Sequence, residues 1–203
     1  MKINVLNHAS IKLEDNIKVY FDPYQIEKTY NDADYIFITH DHYDHYDEQS
    51  INKIINENTI VILPKCLETK KNIYRNVLIV ESNKTYQLAN LSFETVNSYN
   101  KIAPFHPKEK DYLGYNVLIN ETKYYVMGDT NRTEETDLVK TDICFVPIGG
   151  TYTMDIKEAS DYINYLRPKK AIPIHYGSIV GDKSLAEEFK KLIKEEIEVE
   201  ILL

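Results

Sequence analysis

The segment Thr39-His40-Asp41-His42-Tyr43-Asp44-His45-Tyr46-Asp47 concentrates metal-ligating side chains. Three of the chain's six histidines fall in the stretch from His40 to His45, together with an acidic partner. Residues two apart share a side wherever the chain is extended, so His40 and His42 can grip one ion together. Asp44 and His45 stand where the loop should turn into a following helix, and there they can aim at a neighbouring ion. Imidazole nitrogen and carboxylate oxygen suit zinc, iron or manganese. Water held by such an ion has its pKa lowered to roughly 7, and a second ion about 3.5–4 Å away can take the leaving or carbonyl oxygen. The bland alternative is a solvated polar loop. Three histidines at ligand spacing, out of so few, argue against it.

The elements around this segment must deliver it. Tyr35 to Ile38 is a continuous apolar run ending at Thr39, which predicts a buried strand whose C-terminal end carries the histidines. Ile3 to Leu6, Ser10 to Leu13 and Lys18 to Phe21 are strand-like runs before it, with Asp15-Asn16 as a tight turn. Ile51, Ile54 and Ile55 have helical spacing within Glu48 to Asn56. Ile60 to Leu63 and Val77 to Val80 are further buried strands, the first stopped by Pro64. In the middle, Leu91 to Val96 is a weakly alternating strand. Tyr115 to Ile119 and Tyr124 to Met127 flank a hairpin turn. Ile143 to Ile148 runs into Gly149-Gly150. A helix capped by Asp155 with Glu158 should end before Pro168, and one opened by Ser184 with Glu187 carries Leu185, Phe189 and Leu192 as an apolar stripe. Ala171 to Ile174 and Ile197 to Leu203 complete the strands. Two β-rich halves, each followed by helices, predict an α/β (α+β) protein with two sheets packed face to face and helices outside.

Composition sets the bounds. The chain has 203 residues, enough for a single domain over 1–203 with a substantial core. The net charge of −8 repels phosphate backbones, so nucleic acid is not an expected partner. A small anionic substrate stays admissible, because a metal can dominate the local field. Cys66 and Cys144 form neither a CxxC pair nor zinc-finger spacing and read as ordinary core or strand-edge thiols. No long apolar run follows Met1-Lys2-Ile3-Asn4, so neither a signal peptide nor a membrane span is expected, and a reduced, cytoplasmic setting is the default. No Gly-x-Ser-x-Gly elbow offers a serine nucleophile.

The segment from His40 to His45 resembles the HxHxDH signature of the metallo-β-lactamase superfamily, and the resemblance extends along nearly the whole chain. Asn7-His8-Ala9-Ser10 is similar to its early GHAS-type turn, with Asn7 where glycine is usual. Phe21-Asp22-Pro23-Tyr24 is similar to its DP motif and Gly128-Asp129-Thr130 to its GDT turn. Pro147-Ile148-Gly149-Gly150 and Ile172-Pro173-Ile174-His175-Tyr176-Gly177 resemble two later motifs. The nearest branch is that of ascorbate-6-phosphate lactonase-like and phospholipase-like hydrolases. The resemblance implies a four-layer αββα sandwich and a hydrolase with two divalent ions, zinc first and manganese or iron as alternatives. It implies that His40 and His42 hold one ion, that Asp44, His45 and His175 hold the other, and that Asp129 bridges both. Asp44 or Asp129 could orient the attacking water and take its proton. The substrate would be a small ester, lactone or phosphoester. A non-catalytic metal-binding or sensor protein and an iron-dependent oxidoreductase are the competing readings.

One ligand departs from the family. Members commonly place a histidine just after the strand that here ends near Val96, where this chain has Asn97-Ser98-Tyr99-Asn100. His106 is the favoured replacement, against a substrate-loop or surface role, and Asn100 could hold a metal-bound water. Near-site candidates are His8, a lone histidine at a turn, and Asp22, which could hydrogen-bond a ligand histidine or simply serve the turn. Tyr43 and Tyr152 are candidates for substrate contact, though packing explains most of the 17 tyrosines. Lys108 and Lys110 could hold an anionic group beside His106 or be solvated. The oligomeric state is left open by the sequence.

Overall fold

The computed structural model describes residues 1–101 and 104–203. They form two compact units, Met1–Glu81 and Ser82–Leu203. Among the described residues no helix is long and apolar enough to cross a membrane.

The first unit holds a six-stranded sheet whose strands lie in sequence order. Strands β1 (Lys2–Asn7), β2 (Ser10–Glu14) and β3 (Lys18–Phe21) pair antiparallel. Strands β4 (Tyr35–Phe37), β5 (Ile60–Pro64) and β6 (Asn76–Val80) then continue from β3 in parallel. Parallel neighbours need a crossover, and between β4 and β5 it includes helix α1 (Glu48–Ile54). Asp47 caps that helix by accepting from the Gln49 amide, and Ile51 and Ile54 bury its inner face with Ile36, Ile38, Val61 and Leu63. The pairing of Phe21 with Phe37 places the residues after β3 alongside those after β4, and the two rings stack at 4.9 Å.

The second unit holds a seven-stranded mixed sheet. Strands β7 (Thr85–Gln87), β8 (Ser92–Asn97), β9 (Leu113–Ile119) and β10 (Thr122–Val126) are antiparallel. The β9–β10 connection is the two-residue turn Asn120-Glu121, both at positive φ as such a turn requires. After helix α2 (Glu134–Asp137), strands β11 (Ile143–Pro147), β12 (Lys170–Ile174) and β13 (Glu198–Val199) add in parallel. Helices α3 (Ile156–Leu166) and α4 (Leu185–Leu192) bury Ala159, Tyr162, Ile163, Ala186 and Phe189 in a core with Tyr125, Cys144 and Val146. Arg167 in the left-handed region followed by Pro168 ends α3.

Three expectations need correction. The last strand is far shorter than Ile197 to Leu203. Ala171 accepts from the Glu200 amide, so odd-numbered residues of β12 face that edge, and Pro173 has no N–H to offer a longer partner. Asp155 does cap α3 through the Glu158 amide, but the Glu158 carboxylate does not return the bond. It accepts instead from Asn131 Nδ2 at 2.7 Å and from the Arg132 amide at 2.9 Å. Ser184 is helical in conformation and its side chain makes no cap bond; Asp182 accepts from the Ser184 amide at 2.8 Å. Asp155→Ala should therefore lower stability by about 1 kcal/mol, the usual cost of losing a cap. Ser184→Ala should stay within about 0.5 kcal/mol of the parent. Urea unfolding of the two variants checks this, and equal losses would sink it.

Candidate metal-binding residues in each unit

In the first unit the candidate residues follow the carboxyl ends of the parallel strands β3 and β4, the usual place for a site on such a sheet. Asp22, one residue past β3, is buried and accepts three hydrogen bonds. Oδ1 takes the Thr39 amide at 2.8 Å, and Oδ2 takes the Thr39 hydroxyl at 2.7 Å and His45 Nδ1 at 2.7 Å. The Thr39 hydroxyl has spent its proton on Asp22. Its 2.9 Å contact with His40 Nδ1 is then one in which the ring donates. A neutral imidazole protonated at Nδ1 keeps its lone pair on Nε2. Asp22 thus fixes the tautomer of His45 directly and that of His40 through Thr39.

The rest of the cluster closes around these rings. His40 and His45 lie 4.0 Å apart by ring centroid, and His40 and His42 lie 4.6 Å apart. The turn is held by the His45 and Tyr46 amides on the His42 carbonyl. Asp44 Oδ2 is 3.5 Å from His45 Nε2 and 3.4 Å from His8 Nε2. Arms of about 2.0–2.1 Å in a tetrahedron put neighbouring ligands about 3.3–3.4 Å apart. Donor chemistry and spacing both fit a divalent ion. Tyr43 is 66% exposed, and its ring meets that of Tyr24 edge-on at 6.1 Å, so it is not part of the buried set.

In the second unit the candidates follow β8, β10 and β12, three strands that run in one direction. His106 is buried, and its Nδ1 donates to Asn100 Oδ1 at 2.8 Å. The direction is forced, because Asn100 Nδ2 already donates to Asn131 Oδ1 at 3.1 Å and to the Tyr152 carbonyl at 2.9 Å. His106 Nε2 then faces Asp129 Oδ2 at 3.4 Å, and His175 Nε2 lies 3.0 Å from the same oxygen. Asn100 thus spends its side-chain oxygen on His106 and its amide hydrogens on Asn131 and Tyr152. Lys108 pairs with Glu135 at 2.6 Å and is not left to a ligand. Tyr152 turns its ring edge-on to Phe105 at 4.7 Å.

Two contributors escaped the sequence reading. Thr39 was visible only as the residue before His40; its role needs the β3–β4 register. Gly149 was visible as half of a glycine pair. A Cβ there would stand 2.4 Å from the His175 carbonyl and 2.6 Å from Val180 Cγ2, so only glycine lets His175 sit where it does. His8, Asp22 and His175 all occupy the left-handed region, at φ 51, 43 and 58°. Non-glycine residues pay for that conformation and keep it where surroundings over-determine it.

The family described as the Beta-lactamase superfamily domain matches residues 2–175, well over half of the chain. A UPF0173 protein of Pyrococcus furiosus is 33% identical over 199 residues, which cover 94% of this chain and 90% of that one. A UPF0173 metal-dependent hydrolase of Staphylococcus haemolyticus is 30% identical over 227 residues, covering 100% and 96%. The crystal structure of a candidate metal-dependent hydrolase from Parabacteroides distasonis superposes with a TM-score of 0.83 at 28% identity, covering 98% of this chain and 91% of that one. Igni18, a metallo hydrolase of Ignicoccus hospitalis, shares the fold at a TM-score of 0.80 and 18% identity, covering 98% and 93%. The chain belongs to this β-lactamase superfamily, has its α/β fold with two mixed sheets, and is an enzyme of the metal-dependent hydrolase type.

Proposed function

We propose that the chain is one functional domain that hydrolyses a small ester, lactone or phosphoester at a centre of two divalent ions. His40, His42 and His106 serve one ion, Asp44, His45 and His175 the other, and Asp129 both. The observation that carries this reading is the state of the imidazoles. His45, His40 and His106 each give Nδ1 to a fixed acceptor, which leaves Nε2 as the ligand nitrogen. That the family match runs through both units supports one domain, since each unit supplies only part of the ligand set.

When bound, the ions supply acidified water at neutral pH and positive charge for the oxygen that becomes negative in the transition state. The chain's own residues do the rest. Asp129 and Asp44 are the carboxylates able to orient water and accept its proton. Asp129 is buried with two imidazoles within 3.4 Å, which holds its position, and Asp44 is 7% exposed. Burial of His8, His40, His45, His106 and His175 keeps bulk water from competing for the ligand atoms. Zinc is the ion this donor set suits first; a nitrogen- and oxygen-only set also accommodates manganese or iron. The fold is shared by CmlA, a diiron β-hydroxylase, at a TM-score of 0.72 and 10% identity.

Elemental mass spectrometry of protein purified without added metal should give about two equivalents per chain, as for a two-metal site. Asp129→Ala should lose at least one of them. It should also lose turnover of activated p-nitrophenyl esters and bis-p-nitrophenyl phosphate. A variant with full activity and metal content would refute the bridging role, and iron with oxygen consumption would favour an oxidoreductase. A second test separates ligand from orienting residue. In a chelator titration Asn100→Ala should weaken metal binding about 10–100-fold, the usual loss when a group behind a ligand is removed. His106→Ala should weaken it more. The reverse order would show that Asn100 is the ligand.

A further inference from the structure

The proposed chemistry leaves Lys108, two residues after His106, unused, and its partners give it a different task. Glu135, on α2, receives two groups from opposite ends of one loop. Its Oε1 accepts from Lys108 Nζ at 2.6 Å, and its Oε2 accepts from the Tyr99 hydroxyl at 2.8 Å. The Lys108 ammonium also lies over the Tyr99 ring, 4.6 Å from its centroid. Asn100 and His106 lie between these two ends in sequence. Within the loop, the Asn100 amide donates to the His106 carbonyl at 2.8 Å. At the Tyr99 end, the Tyr99 amide donates to Thr130 Oγ1 at 3.1 Å, and the Asn131 amide donates to the Tyr99 carbonyl at 3.0 Å. Thr130 follows Asp129 directly. The segment that carries His106 is therefore tied at one end to the turn that carries Asp129, and at both ends to one carboxylate.

We infer that Glu135 is a positioning residue for His106, stapling the Tyr99 and Lys108 ends of its loop and so setting how tightly the ion at His106 is held. This rests on the reading of His106 as a metal ligand. The physical case turns on where the staple's effect can appear. Lys108 is half exposed, and ion pairs of that kind add little to global stability. What the pair can do is restrict a loop whose ligand atom must be placed to within about 0.5 Å. The Glu135 carboxyl is suited to that. Partial burial alone would raise its pKa, but the hydrogen bonds from Lys108 and Tyr99 outweigh it and bring the pKa down to about 2. The staple is thus charged throughout the neutral range. Its helix is short but firmly seated, with a reciprocal Thr133–Thr136 cap and the Tyr162 hydroxyl donating to the Thr136 carbonyl.

The test compares Glu135→Gln, Lys108→Met, the double variant, and each of these with His106→Ala, by competitive chelator titration with zinc. Thermal unfolding of the metal-free proteins is recorded alongside. Glu135→Gln should weaken, by about tenfold, the binding step that His106→Ala weakens, the low end for groups behind a ligand. The metal-free unfolding midpoint should stay nearly unchanged. Lys108→Met should do the same, and the double variant should be no worse than either single one, since both cut one staple. In the His106→Ala background Glu135→Gln should have no further effect. Additive losses, an unchanged affinity in Glu135→Gln, or an effect that persists without His106 would each overturn the assignment. If His106→Ala itself leaves zinc binding unchanged, the ligand reading falls and the staple's role with it. If His106→Ala weakens binding and Glu135→Gln does not, only the staple fails.

Discussion

A buried carboxylate in an unfavourable backbone conformation organises the first unit. Asp22 sits at φ 43° with 1% exposure, and an ionised group so placed is costly unless its lone pairs are filled. Three donors fill them, and two of the three come from Thr39. This works only because β3 and β4 are parallel neighbours in the register Phe21 to Phe37, which continues with the Asp22 amide on the Phe37 carbonyl. A slip of one residue would turn every side chain to the other face. Asp22 would then lose its donors and the histidines their orientation together. The apolar strands that build the core therefore also set the tautomers at the site.

Much of this was legible in the sequence, for reasons that differ by element. The strands around Tyr35 and Ile143 announce themselves as apolar runs because parallel strands are buried on both faces. The candidate ligands stood out because imidazoles and carboxylates are rare at such spacing. The groups behind the ligands were less legible. Asp22 and Thr39 are 17 residues apart, and Lys108 and Glu135 are 27 apart. No local pattern links residues whose meeting depends on register or loop path. The ends were also misread for local reasons, since Pro173 shortens the last strand and the Glu158 carboxylate bonds outside its own helix, while the three-residue β7 drew no expectation.

The second unit answers the same demand with different chemistry. His175 is the second residue of the chain, with His8, to combine a left-handed backbone with a buried imidazole. Its carbonyl leaves no space above Gly149, so the turn after β11 and the turn after β12 specify each other. The glycine is kept here by close approach, because its φ is not in the left-handed region, whereas Gly150 beside it has φ 88°. One glycine pair thus serves two constraints, space at the first position and conformation at the second.

The two units differ most in what stands behind their histidines. A carboxylate behind an imidazole makes the ligand nitrogen more electron-rich, because the Nδ1 proton is partly drawn toward the anion. A neutral amide acceptor does this less. His45 has a charged acceptor held by β3, and His106 has the neutral Asn100 in a loop. His106 is thus the weaker donor on electronic grounds and the less constrained one on backbone grounds. A ligand weak on both counts depends most on whatever else restrains it. In this chain those restraints are the hub at Thr130 and the Glu135 carboxylate, neither of which touches the imidazole. On the proposed reading of His106 as a ligand, its loop brings the imidazole to 3.4 Å from Asp129 and is fastened at Tyr99 on one side and Lys108 on the other.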